Sequence, residues 1–115
     1  MREILFRGKI NRTKWVYGDL IHDESRNRVY IWSKNPFAPG GIMENIVDPE
    51  TVGQFTGLLD KNGKKIFEDD IMRNAGNVVE FYGDGFCING DSSLSLWTKT
   101  EIIGNIHDNP ELLKW

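Results

Sequence analysis

The 115-residue sequence predicts an all-β fold: a small barrel-like arrangement of short antiparallel strands with a short C-terminal helix. Three observations predict it. The apolar period is mostly two rather than 3.6. The segments that carry it are rich in β-branched and aromatic residues. Turn-forming sequences separate them about every 8–12 residues, the spacing of barrels and sandwiches.

The first strand is read from "REILFRGKI", where Ile4, Phe6, Gly8 and Ile10 alternate with Glu3, Leu5, Arg7 and Lys9. "KWVYGDLIHD" and "NRVYIWS" flank the polar turn "DESRN", so residues 15–33 read as a hairpin. Both faces of its first strand are partly apolar, as in a strand covered on two sides. In "KNPFAPGGIMENIVDPE", Pro36, Pro39, Gly40 and Gly41 break regular structure. That segment reads as a long surface loop carrying Phe37, Ile42, Met43 and Ile46. "ETVGQFTGLLD" is a strand. Asn62-Gly63 then suits a type I′ turn, whose two central residues both need positive φ, and "KIF" returns. "EDDI" turns the chain into a short strand at Ile71-Met72, and "NAGN" turns it again. "NVVEFYGDGFCING" reads as a hairpin about Gly83-Asp84-Gly85, followed by strands in "DSSLSLW" and "EIIGNI". In "DNPELLKW", Asn109 is the expected N-cap and Pro110 the first residue of a helix of one or two turns.

A chain of this length is expected to form one domain and to bury about two-thirds of its unfolded surface without metal or disulfide staples. Its 17 acidic and 14 basic residues leave a net charge of −3, which argues against nucleic-acid binding by bulk phosphate neutralisation. A basic cluster does crowd the N-terminus: Arg2, Arg7, Lys9, Arg12 and Lys14. Cys87 is the single cysteine, so no internal disulfide forms and a reducing compartment is expected. No apolar run approaches the ~18 residues of a spanning helix. The expected compartment is therefore the cytoplasm, with no membrane partner.

Three groups of residues carry any candidate chemistry. Glu68, Asp69 and Asp70 are consecutive acids. Divalent cations need carboxylates that converge, whereas neighbours in extended chain point apart. The expected role is structural, with Asp70 accepting backbone N–H groups across a turn. Cys87 would need a base to act as a nucleophile, and His22 and His107 are the two imidazoles. One cysteine and two histidines are also too few for an ordinary zinc site. A buried, inert thiol is expected, with no catalytic residues, no metal and no cofactor. The third group is aromatic: Trp15, Tyr17, Tyr30, Trp32, Phe81, Tyr82, Phe86 and Trp97. Such residues serve as core, as interface, or as stacking platforms for single-stranded nucleic acid.

"VDPETVGQFTGLLDKNGKKIFEDDI", followed by "VVEFYGDGF" and "EIIGNIHDNPEL" and preceded by "REILFRGKI" and "WVYGDL", resembles the YopX family of phage and prophage proteins. The resemblance runs nearly the whole chain, so residues 1–115 are expected to be a single domain of that type. It implies a β-rich, barrel-like, oligomeric protein encoded by a phage or prophage, and it implies no activity. The family typically has glycine where this chain has Asp69, which argues against a required functional role for that acid.

The functional expectation is an oligomerising binding or assembly module acting on a phage or host macromolecule in the bacterial host. The alternative is a nucleic-acid-binding β-barrel in phage DNA or RNA metabolism. Trp15, Tyr30, Trp32, Phe37 and Trp97 are the candidate binding surface, and Asn62, Gly63 and Asp70 are structural turn residues.

Overall fold

The computed structural model describes residues 3–73, 77–82, 85–88 and 99–113, with the side chains of residues 77, 80–88 and 113 outside that description. It is mainly β and antiparallel. The chain divides into two compact units, Met1–Gln54 and Phe55–Trp115.

The first unit is a meander of β1 (Phe6–Ile10), β2 (Lys14–Asp23), β3 (Arg28–Lys34) and β4 (Ile42–Val47). Each strand pairs antiparallel with the next. The first residues of β5 (Gly53–Leu59) pair with β1, Gly53 opposite Arg7 and Gln54 opposite Phe6. The β1–β2 turn has Asn11 and Arg12 at φ 47° and 58°, and Thr13 N–H closes it on Ile10 C=O at 2.9 Å. At the β2–β3 turn, Asp23 accepts from the N–H and hydroxyl of Ser25 and from Arg26 N–H. One face of the meander buries Val16, Ile31 and Val47, with Phe6, Ile10, Leu20 and Val29 packed around them. The Asn45 amide sits on this same face and is satisfied by Ile31 C=O, Ser33 Oγ and Met43 C=O.

The expected surface loop after residue 34 is in fact half strand. Its prolines and glycines are confined to a 3₁₀ turn at Pro39–Gly41, where Gly40 and Gly41 take φ 72° and 73°. The chain then pairs with β3 over the whole of Ile42–Val47. A second 3₁₀ turn, Pro49–Thr51, follows.

In the second unit the rest of β5 pairs with β6 (Lys65–Phe67) across an irregular register at Gly57, φ 90°. A four-stranded sheet has the order β10 (Ile102–Asn105), β7 (Asp70–Met72), β8 (Asn77–Tyr82), β9 (Gly85–Ile88). Ile66, Met72 and Val79 form the core with Leu58 and Ile102, and the Phe55 and Phe67 rings lie 5.6 Å apart.

Three finer expectations differ. The described strands form open sheets rather than a closed barrel, since neither unit brings enough full-length strands to meet the tilt and stagger that closure demands. The C-terminal helix is a single 3₁₀ turn, Pro110–Leu113, and the Asn109 carboxamide oxygen accepts from Asn105 N–H. At residues 60–64 only Gly63 takes positive φ, 81°. Gly63 N–H reaches Asp60 C=O and Asp60 N–H reaches Lys64 C=O, which is a type I turn closed by a left-handed glycine, not the type I′ turn expected. Strands expected in "DSSLSLW", the turns at 74–76 and 83–84, Trp97 and the Cys87 side chain lie outside the described residues.

Gly18 in β2 is required by close approach. A Cβ there would meet the Trp32 carbonyl oxygen at 1.9 Å. Gly18→Ala is therefore expected to lower the urea midpoint by the equivalent of about 1–3 kcal/mol, the usual cost of overpacking.

Candidate functional site

Residues directly opposite in an antiparallel ladder share a face. The registers of the first unit therefore sort its side chains. Opposite the buried face lie Arg7 and Lys9 of β1; Trp15, Tyr17, Asp19 and Ile21 of β2; Tyr30, Trp32 and Lys34 of β3; and Ile42, Glu44 and Ile46 of β4. Tyr17, Ile21, Trp32, Ile42 and Ile46 are all exposed on it, the last two about half. Ile46, Tyr30 and Ile21 form one cross-strand row, and Glu44, Trp32 and Asp19 form the next. The Trp32 indole N–H donates to Glu44 Oε2 at 3.0 Å. The Arg7 guanidinium lies 4.6 Å from the Trp15 ring centroid and the Lys9 ammonium 5.4 Å, both within cation–π range.

The structure thus brings Trp15 and Trp32 to one face. Tyr30 belongs to that face by register but is only 6% exposed, so it is a packing residue and not open surface. Its position in an unbroken apolar run, Val29 to Trp32, hides this from sequence. Phe37 stands apart on the β3–β4 connection, 96% exposed. Ile42 and Ile46 were assigned to a loop by sequence and join the face because that loop is a strand. The accessible charges on the face are mixed, Lys9 and Lys34 against Asp19 and Glu44, while Arg7 is as buried as Tyr30.

The acidic turn is a separate feature of the second unit. Asp70 is buried and its Oδ2 accepts Phe67 N–H at 2.7 Å, the structural role expected. Asp69 takes φ 73°, a left-handed conformation that favours glycine. Its backbone joins two segments, N–H to Val79 C=O and C=O from Ile106 N–H. Its carboxylate lies 3.1 Å from His107 Nε2. Among the described residues no group of three or more His, Cys, Asp and Glu is placed to hold a metal ion. A carboxylate that sequence reasoning missed is Asp60. It is buried, and Oδ1 takes the N–H groups of Asn62 and Lys64 while Oδ2 takes that of Ile102. Its signal was an aspartate opening a turn. Burial acts to raise this carboxyl, but the three N–H donors together hold it below its ordinary 3.8.

The family model for "YopX protein" matches residues 5–114. The chain belongs to the YopX family. A crystal structure, that of protein EF1440 from Enterococcus faecalis, superposes with a TM-score of 0.65 at 22% identity, over 99% of this chain and 100% of that one. At that identity the likeness shows the fold. A search of curated proteins returns no match. No helix among the described residues is long and apolar enough to cross a membrane.

The YopX-like stretch "VDPET" now has a physical reading. Asp48 N–H donates to Lys9 C=O at 2.8 Å, and Lys9 N–H donates to Thr51 Oγ1 at 2.8 Å. Thr51 Oγ1 in turn donates to Asp48 C=O, and Asp48 Oδ2 takes Arg12 N–H. The stretch clasps the end of β1.

Two expectations follow from the YopX turns. Replacing Asp69 by glycine relieves a left-handed aspartate and gives up a partly exposed carboxylate–imidazole contact, so Asp69→Gly is expected to stay within about 1 kcal/mol of the parent in urea unfolding, while Asp69→Val loses about 1–3 kcal/mol. Asp60 has a depressed folded-state pKa, so its contribution is complete above the unfolded value near 3.8 and is lost as pH falls through the lower folded value. Stability measured from pH 6 downward should therefore fall on the acid side, and Asp60→Asn should flatten that limb while lowering the plateau.

Proposed function

We propose that the chain is a phage- or prophage-encoded accessory protein of the bacterial cytoplasm, acting as an oligomerising binding or assembly module rather than as an enzyme. One observation carries this reading. Of the eight large exposed apolar or aromatic side chains among the described residues of the first unit, Tyr17, Ile21, Trp32, Ile42 and Ile46 share one sheet face, while Met43 lies on the opposite face and Ile4 and Phe37 lie outside the strands. Isolated exposed apolar residues are ordinary, whereas a contiguous patch marks an interaction surface. Its mixture of aromatic, aliphatic and balanced charge fits a protein partner better than a polyanion.

The nucleic-acid reading has one specific observation in its favour, the Arg7 and Lys9 cations over the Trp15 ring. Aromatic and basic groups combined in this way form stacking platforms in single-strand binders. The carboxylates of Asp19 and Glu44 on the same face count against it.

Light scattering across the micromolar range should show a mass that rises with concentration to a multiple of the monomer. Ile46→Lys should weaken this association about tenfold or more, the scale of one unburied aliphatic side chain, without changing the circular dichroism. A strict monomer at every concentration counts against self-association. A shift of single-stranded oligonucleotides that fades with salt would favour the alternative.

A further inference from the structure

The outer edge of β4 is a second, more specific feature. Two hydrogen bonds fix which of its backbone groups face outward. Asn35 N–H donates to Gly41 C=O, so 41 and, by alternation, 43, 45 and 47 bond to β3. Asp48 N–H points the other way, to Lys9. Both observations put the N–H and C=O groups of Ile42, Glu44 and Ile46 on the edge away from β3, which beyond Val47 is already taken by Lys9 of β1. Among the described residues these groups make no hydrogen bond outside the strand. The edge has no proline or lysine within Ile42–Val47, the usual devices against further pairing. It does have Glu44 at its centre, between two half-exposed isoleucines on one face.

That carboxylate selects the occupant. A second copy pairing in the register that satisfies all three residues would set Glu44 directly against Glu44, and like charges so placed repel. A strand with a basic residue at that point and apolar residues two positions to each side meets Glu44 with opposite charge and both isoleucines with apolar surface. We propose that β4 is a recognition edge that takes an extended, basic-centred peptide segment by antiparallel strand addition, in the pattern apolar-x-Lys/Arg-x-apolar. The backbone supplies affinity and the alternate side chains supply choice. The inference rests on reading this face as a protein-binding surface, and it names the chemistry of the partner.

The probe is a heptapeptide, fluorescein-labelled at its C-terminus, with valine, lysine and valine at its second, fourth and sixth positions and serine or threonine elsewhere, short enough to stop before the Asp48–Lys9 bond, titrated by fluorescence anisotropy. The lysine peptide is expected to bind about tenfold tighter than its glutamate-centred counterpart. Methylating the peptide nitrogens at the second, fourth and sixth positions should abolish binding. Hydrogen exchange should show the amides of Ile42, Glu44 and Ile46 newly protected. Glu44→Gln, which keeps an acceptor for the Trp32 indole, should bring the lysine and glutamate peptides to near parity. Equal binding of the two peptides to the parent protein, undiminished binding of the methylated one, or no binding at all would overturn the proposal. So would a dimer that Glu44→Gln tightens and that excludes the peptide, because β4 would then belong to a second copy. Light scattering separates the two claims: self-association without peptide binding leaves the module reading standing and removes this one, and peptide binding by a strict monomer removes only the oligomerising part of that reading and leaves this one standing.

Discussion

The first unit depends on how Lys9 is held. Its N–H and its C=O are both taken by the short segment that follows β4, one by a threonine hydroxyl and the other by the Asp48 N–H. β1 pairs with only the first two residues of β5, so the end of β1 beyond them has no ladder partner on that side. The clasp ties the end of β1 to the segment after β4 through one backbone hydrogen bond and one bond to a threonine hydroxyl. Gly8 records how close the approach is, since a Cβ there would stand 2.9 Å from a Val47 methyl. The buried face is thereby folded over Val16, Ile31 and Val47, and on the opposite face Tyr17, Ile21, Trp32, Ile42 and Ile46 are exposed while Arg7 and Tyr30 are buried. The proposed surface is a consequence of which side the clasp closes.

The second unit uses the same chemistry in another form. A buried carboxylate, Asp60, gathers three backbone N–H groups, and one belongs to β10. Asp70 caps the turn from β6 into β7, and Asp69 joins that turn to residues 79 and 106. Of the acids written in a row, Asp70 accepts the Phe67 N–H and Asp69 bonds through its own backbone to Val79 and Ile106.

How much of this was legible in the sequence follows from the range of the forces involved. The hairpin at 15–33 was legible because alternation and a polar turn are local. β4 was not. Four breakers stand before it, and what makes it a strand is pairing with β3, which no property of Ile42–Val47 announces. The turn at Asn62-Gly63 was correctly placed but wrongly typed, because Asp60 bonds the loop from its side chain and needs one left-handed residue, not two. The pair at positive φ is Asn11-Arg12, where arginine gives no such signal. Trp15 and Trp32 do fall on one sheet face, but Tyr30 lies in a run without alternation, so its burial was illegible. The role of Asp69 as a left-handed residue was legible only through the resemblance, by the glycine it replaces.

The reach of the Asp60 carboxylate also sets an order in time. Its third donor, Ile102, lies 42 residues further along the chain. While the chain is being made, the turn at 60–64 has its two local donors from the start, but the group stays short of its final complement until β10 has emerged. Until then the carboxylate lacks the one donor that ties the turn to β10.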